Sequence, residues 1–274
     1  MSFDITPYLH LSPAQVRAQI RAGAIDFPTA GMCRGYAQAN LVILPPEHAA
    51  EFEEFTRRNP FPCPVLEIVR DTPETHAMGE GADITRDLPR YRVWRSGVLA
   101  EERTDVSDLW EPGYVGFLLG CSFSFEEALL ADNIPVRHIE QGCNVPMFKT
   151  SIQTVPAGPF SGPMVCSMRP MTPRQAERAR AITAAMPNVH GAPVQIGDAA
   201  AIGVRDVMKP DYGDPVELFP GEVPVFWPCG VTPQAAVENA KLPLVITHAP
   251  GHMFITDVKN AELNAFLEAR RNGS

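Results

Sequence analysis

Two stretches of this chain, GCSFSFEEALLADNIPVRHIE from residue 120 and PCGVTPQAAVENAKLPLVITH from residue 228, superimpose without gaps at an offset of 108 residues. Each follows an apolar strand-like run, YVGFLL in the first and VPVFW in the second. Each then offers a turn, a helix start and another strand-like run, IPVRHI or LPLVIT. Cys121 falls on Cys229 at a strand end, Ser124 on Thr232 at an expected helix cap, Ala128 on Ala236 inside the helix, and Pro135 on Pro243 before the next strand. A fold that houses both must contain two β-α-β units. Shared β-α-β physics explains such matches as readily as a true duplication does.

The rest of the chain supplies the same kinds of element. Ser12-Pro13 caps a short amphipathic helix ending near Gly23, NLVIL at 40–44 is a strand closed by Pro45-Pro46, and Glu47 to Arg58 reads as a helix with Phe52 and Phe55 inward. Val65 to Val69 reads as a strand, and Tyr91–Trp94 with Val98–Glu101 as a hairpin through Ser96-Gly97. From Thr150 the pattern changes to two strands (SIQTV and MVCSM), a helix from Thr172 to Met186 and a strand at Val194–Ile196; a last helix covers Ala261 to Arg271. The expected architecture is α/β: a larger α/β domain of residues 1–144 and 206–274, with a smaller α+β domain of residues 145–205 inserted.

Composition excludes several functions. With 274 residues and 45% apolar content the chain can bury a sizeable core, and a net charge of −9 without a basic cluster argues against nucleic acid. No apolar run approaches the ~20 residues of a bilayer span, and the N-terminus has neither a basic nor an apolar leader region, so no membrane partner and a cytoplasmic location are expected. Six cysteines without a CxxC pair read as free thiols. The 28 prolines, spread through mixed sequence, read as stiffened loops. A homodimer is expected only because two-fold assemblies are common.

The blocks RGYAQANLVILP, NPFPCPVLE, DITRDLPRYRV, GCSFSFEEAL, VRHIEQGCNVPM, GPMVCSMRP, VHGAPVQIGD, VPVFWPCGVTPQ and THAPGHMFITD, in this order over nearly the whole chain, resemble a hydro-lyase family that shares its domain with D-glutamate cyclase. The resemblance implies a larger α/β domain beside a smaller α+β one. It also implies a carbon-oxygen lyase acting on a small carboxylate or amino acid, as D-glutamate cyclase closes D-glutamate to 5-oxo-D-proline with loss of water. It carries no established catalytic set.

Such a cyclisation needs a base for the α-amine, donors for the oxyanion, an acid for the departing hydroxide and an anchor for the remaining carboxylate. On an expected strand, His138 and Glu140 share one face and are the acid-base candidates; a surface salt-bridge edge is the alternative. His248 and His252 flank APG, which rules out a helical HxxxH zinc site, so they are catalytic or substrate contacts or simply loop packing, with no metal expected. Cys121 and Cys229 are either small buried hydrophobes or, ahead of helix N-termini that favour thiolate, reactive groups.

Ser122, Ser124 and Thr232 are candidate binders of a carboxylate or oxyanion, although capping alone explains Ser124 and Thr232; Asn144 and Arg169 are further polar contacts, Arg169 alternatively bridging the two domains. Arg34, Tyr36, Gln38 and Asn40 alternate into a strand and either line the same crevice, at the carboxyl ends of the strands, or form a polar edge. No phosphate loop, dinucleotide turn or nucleophile elbow occurs, so cofactor-free chemistry is expected. Two alternatives to the lyase remain: an amino-acid racemase or epimerase using Cys121 and Cys229, and a non-catalytic metabolite-binding protein.

Overall fold

The computed structural model describes residues 4–272. In chain order the elements are α1 (Pro13–Arg21), β1 (Tyr36–Leu44), α2 (Pro46–Arg58), β2 (Val65–Val69), β3 (Glu74–Thr75), β4 (Ala82–Asp83), β5 (Tyr91–Arg95), β6 (Val98–Arg103), β7 (Val115–Gly120), α3 (Phe123–Ala131), α4 (Arg137–Glu140), β8 (Met147–Gln153), β9 (Pro163–Met171), α5 (Pro173–Ala184), β10 (Gln195–Ile196), β11 (Val223–Pro228), α6 (Thr232–Ala240), β12 (Val245–His248), β13 (Phe254–Lys259) and α7 (Leu263–Asn272). Helices and sheets are mixed throughout, an α/β fold. Among the described residues no helix is long and apolar enough to cross a membrane.

A seven-stranded sheet runs β2-β7-β1-β12-β5-β6, with β13 also on β1, and a four-stranded sheet runs β10-β11-β9-β8. The smaller sheet therefore draws on residues 147–228, reaching past the 145–205 segment in which the pattern changes. In β1, Leu41 and Ile43 join one core and Val42 and Leu44 the other, so the strand is buried on both faces and reads as a continuous apolar run. In the second core Phe52 meets Phe117 and Phe160 edge-on, with ring centroids 4.8 and 5.1 Å apart. Each such pair contributes ~0.5–1.5 kcal/mol beyond burial. Ser12 and Thr172 close capping boxes with Gln15 and Gln175 at the starts of α1 and α5.

The repeat is visible in the sheets. Leu119 of β7 faces Asn40 of β1, and Trp227 of β11, at the same offset, faces Ser167 of β9; Gly120 faces Ala39 as Pro228 faces Cys166. The order β2-β7-β1-β12 in one sheet matches β10-β11-β9-β8 in the other. The crossovers exchange the two: β7-α3 leads from the larger sheet to β8 in the smaller, and β11-α6 from the smaller to β12 in the larger. This corrects the expectation of β-α-β units within one open sheet. All strand pairs in both sheets are antiparallel, so there is no single row of carboxyl ends, and the turns after β7 and β11 meet through Cys121 and Cys229 in one buried cluster.

The run IPVRHI is also not a strand. Asn133 turns the chain in the left-handed region, residues 137–140 form one helical turn, and Gly142 ends it with φ 59°. One turn lets Arg137 pair with Glu140 three residues on at 3.0 Å while His138 points inward. The alternation that placed His138 and Glu140 on one face does not exist.

Candidate functional site

Helix α3 turns a carboxylate into the protein. Phe123, Glu126 and Leu129 recur at helical spacing and all three are buried, Glu126 being only 2% exposed. Its Oε1 accepts from Arg169 Nε at 3.0 Å and closely from Arg169 Nη2, and His138 Nε2 lies 3.2 Å away. Arg169, fully buried on β9, also donates to the hydroxyls of Ser122 and Ser167, both at 3.0 Å. The guanidinium lies over the rings of Phe125 and Trp227 at 5.0 and 5.6 Å, and Phe123 stacks on His138. Arg169 thus ties the smaller sheet to the helix that follows β7.

Burial works to raise the Glu126 pKa, but His138 and Arg169 outweigh it and hold the carboxyl below its usual range. Its Oε2 is buried with no hydrogen-bond partner, and Nε2 of His138 has no polar contact beyond its 3.2 Å approach to Oε1. A buried polar atom without a partner is costly, which makes Glu126 Oε2 the natural receiver of a polar ligand.

The two thiols sit alongside. Cys121 and Cys229 belong to one buried cluster, and each takes a backbone N–H from two residues ahead, Phe123 at 3.5 Å and Val231 respectively. Burial nevertheless pushes Cys121 far up and Cys229 up to about 11, so the expected bias toward thiolate is overridden in this state. One side chain bridges their turns. Asn40 donates to the carbonyl of Gly120 at 2.6 Å, and a Cβ at Gly230 would lie 2.0 Å from the same amide nitrogen. Gly230→Ala is expected to displace Asn40 and cost ~1–3 kcal/mol, read as a lower Tm with wild-type secondary structure.

Ser124 and Thr232 do not cap their helices. Each instead latches its helix to the strand beside it: Gln38 N–H donates to Ser124 Oγ at 2.9 Å, and Val165 N–H to Thr232 Oγ1 at 3.0 Å. The paired latches repeat the symmetry of the sheets. Cys121, Ser122, His138, Arg169 and Cys229 are therefore brought together, whereas Glu140 is half exposed on Arg137. Asn144 donates to Pro250 O at 3.0 Å, and His252 Nδ1 lies 3.0 Å from the same carbonyl. His248 sits where β1 changes partner from β13 to β12, its Nδ1 3.2 Å from both the nitrogen and the oxygen of Leu41. Among the described residues no group of three or more His, Cys, Asp or Glu side chains is placed to hold a metal ion.

Sequence reasoning passed over Glu126 and Ser167. A signal for Glu126 existed, since it interrupts the apolar stripe of FSFEEALLA, but Ser167 in SMRP carries none. Glu126 also lines a cavity of about 440 Å³ that Arg34, Tyr36 and Gln38 share, whereas Asn40 turns away to Gly120.

A family model described as D-glutamate cyclase matches residues 115–257, which include the repeat, Glu126, His138 and Arg169. Relatives bearing the name "Putative hydro-lyase" include one from Bordetella petrii, 55% identical over 91% of this chain and 95% of its own. Another from Stutzerimonas stutzeri is 54% identical over 95% and 98%, and one from Geobacillus kaustophilus is 55% identical over 92% and 97%. With a domain match over more than half its length and relatives aligned nearly end to end, the chain belongs to the D-glutamate cyclase family of hydro-lyases.

Proposed function

We propose that this chain is a carbon-oxygen lyase that removes water from a small amino acid, with D-glutamate closing to 5-oxo-D-proline as the reaction its family name suggests. The observation that carries this reading is a buried carboxylate oxygen without a partner, Glu126 Oε2, in one cluster with Arg169 and with His138, whose Nε2 lies 3.2 Å from Oε1 of the same carboxylate. Glu126 takes a proton from the α-ammonium. The freed amine attacks the side-chain carboxyl carbon, forming the C–N bond, and Arg169 and Ser122 stabilise the oxyanion. The departing oxygen receives one proton from the attacking nitrogen and one from His138 as the C–O bond breaks, so that water leaves, and the proton held by Glu126 restores His138. In this scheme His138 keeps the acid-base role first given to it, and Glu126 replaces Glu140 as its partner.

Proton NMR of the protein with D-glutamate, L-glutamate and 5-oxoproline in deuterated water tests it. Ring closure of glutamate without exchange at Cα is the expected result; no ring closure with either glutamate and no ring opening of 5-oxoproline would reject the glutamate reading.

A second reading rests on the duplicated register, which sets Cys121 and Cys229 at equivalent strand ends in one cluster. Two thiol groups on opposite sides of a substrate Cα could remove and return its proton, giving a racemase or epimerase. Cys121→Ser and Cys229→Ser separate the readings. Under the lyase reading ring closure survives at least one of them; loss of Cα exchange in both would favour the two-thiol route.

A further inference from the structure

The cavity of about 440 Å³ beside α3 is walled by Ile5, Leu9, Met32, Leu130 and Ile139, with Arg34, Glu126, Glu127 and Asn260 supplying its polar groups. Two of these lack a partner, and a third, Arg34, is exposed. Glu126 Oε2 and Asn260 Oδ1 are buried acceptors without donors, and among the described residues no carboxylate pairs with the Arg34 guanidinium. The Asn260 amide nitrogen already donates to Glu127 at 2.9 Å, which fixes Oδ1 as the idle end.

The backbone that carries Arg34 is fixed on both sides. Cys33 and Arg34 N–H donate to the carbonyls of Tyr8 and Leu9 at 3.0 and 2.9 Å, and Asn260 N–H donates to Gly35 O at 2.8 Å. Cys33 and Gly35 hold left-handed conformations, with φ 46° and 93°, so the backbone on either side of the exposed Arg34 side chain is tightly turned. Two idle acceptors and an exposed cationic fork on the same cavity suit a ligand with several donors at one end and a planar anion at the other.

We propose that this cavity is an α-amino-acid site in which Glu126 and Asn260 accept from the ligand ammonium and Arg34 holds its carboxylate in a forked pair. The proposal rests on the lyase reading only for the step that follows binding. It assigns Arg34 and Asn260 to substrate recognition and requires an amine, excluding a plain carboxylic acid. The apolar walls leave room for the ligand side chain, and Glu126 joins the cavity to the His138–Arg169 cluster.

Titration calorimetry of the whole chain with D-glutamate, L-glutamate, the other common amino acids in both forms, and glutarate tests it. At least one amino acid is expected to bind, with glutarate at least about tenfold weaker than glutamate, and Arg34→Gln is expected to weaken the amino acid at least about tenfold while Arg34→Lys recovers part of the loss. Binding of glutarate equal to that of glutamate, no amino acid bound, or an Arg34→Gln affinity equal to wild type would each overturn the proposal. Arg34-dependent binding without ring closure would reject the lyase reading and keep the site. Ring closure unaffected by Arg34→Gln would do the reverse.

Discussion

Glu126→Gln is expected to reduce turnover by about two to four orders of magnitude, the usual cost of losing a general acid-base group. It should also destabilise the protein. Arg169 is fully buried, and with Glu126 neutral its charge has no counter-ion in the cluster. Breaking a buried pair in this way typically costs ~3–5 kcal/mol, whereas replacing both partners by groups of similar volume is often close to neutral. The double variant Glu126→Gln with Arg169→Met is therefore expected to recover most of the lost stability and none of the turnover. Denaturant unfolding beside the NMR assay separates the two effects. A single variant that is unstable but turns over at the wild-type rate per folded molecule would show that Glu126 serves the fold alone; a double variant no more stable than the single would show that the desolvated Arg169 charge is not what the fold loses.

The legible parts of this fold are those in which local chemistry and tertiary context agree. Ser12-Pro13 and Thr172-Pro173 announce their helices because capping is a matter of three or four adjacent residues, and both caps form. The hairpin at Ser96-Gly97 is equally local, with both turn residues at positive φ. What the pattern could not carry was the partner of each strand. A strand reads as apolar whichever sheet takes it, so β7 and β11 look like members of one sheet although they sit in two.

The same limit governs the site. Four residues of IPVRHI alternate well enough for a strand, and only the left-handed Asn133 and Gly142 at either end reveal a helical turn. Once that turn forms, Glu140 belongs with Arg137, and His138 faces a carboxylate twelve residues earlier. Ser124 and Thr232 show the converse. Their alignment in the repeat was legible, but a latch to the neighbouring strand and a helix cap demand the same residue types, and sequence cannot tell which bond the hydroxyl makes.

Below neutral pH the buried histidines are expected to unfold the protein. Burial pushes His190 down to about 4 and His248 down to about 3, from an ordinary value of 6.5. Between those values and 6.5 the unfolded chain binds protons that the native one refuses, so unfolding free energy rises with pH across the window and is lost as pH falls. His190 alone accounts for roughly 3 kcal/mol by pH 4, at about 1.4 kcal/mol per pKa unit. Glu126 adds to the loss at the acid end, since its native pKa also lies below its ordinary 4.5. Urea midpoints from pH 7.5 to 4 should fall steeply from about pH 6.5 downward. His190 has φ 83°, which asparagine tolerates better than most residues, so His190→Asn can keep the backbone turn without the titrating ring. That variant should flatten the slope by about one proton. Midpoints level from pH 7.5 to 4.5 in the wild type would mean that the native state accepts protons on these rings, and that neither is held neutral by burial.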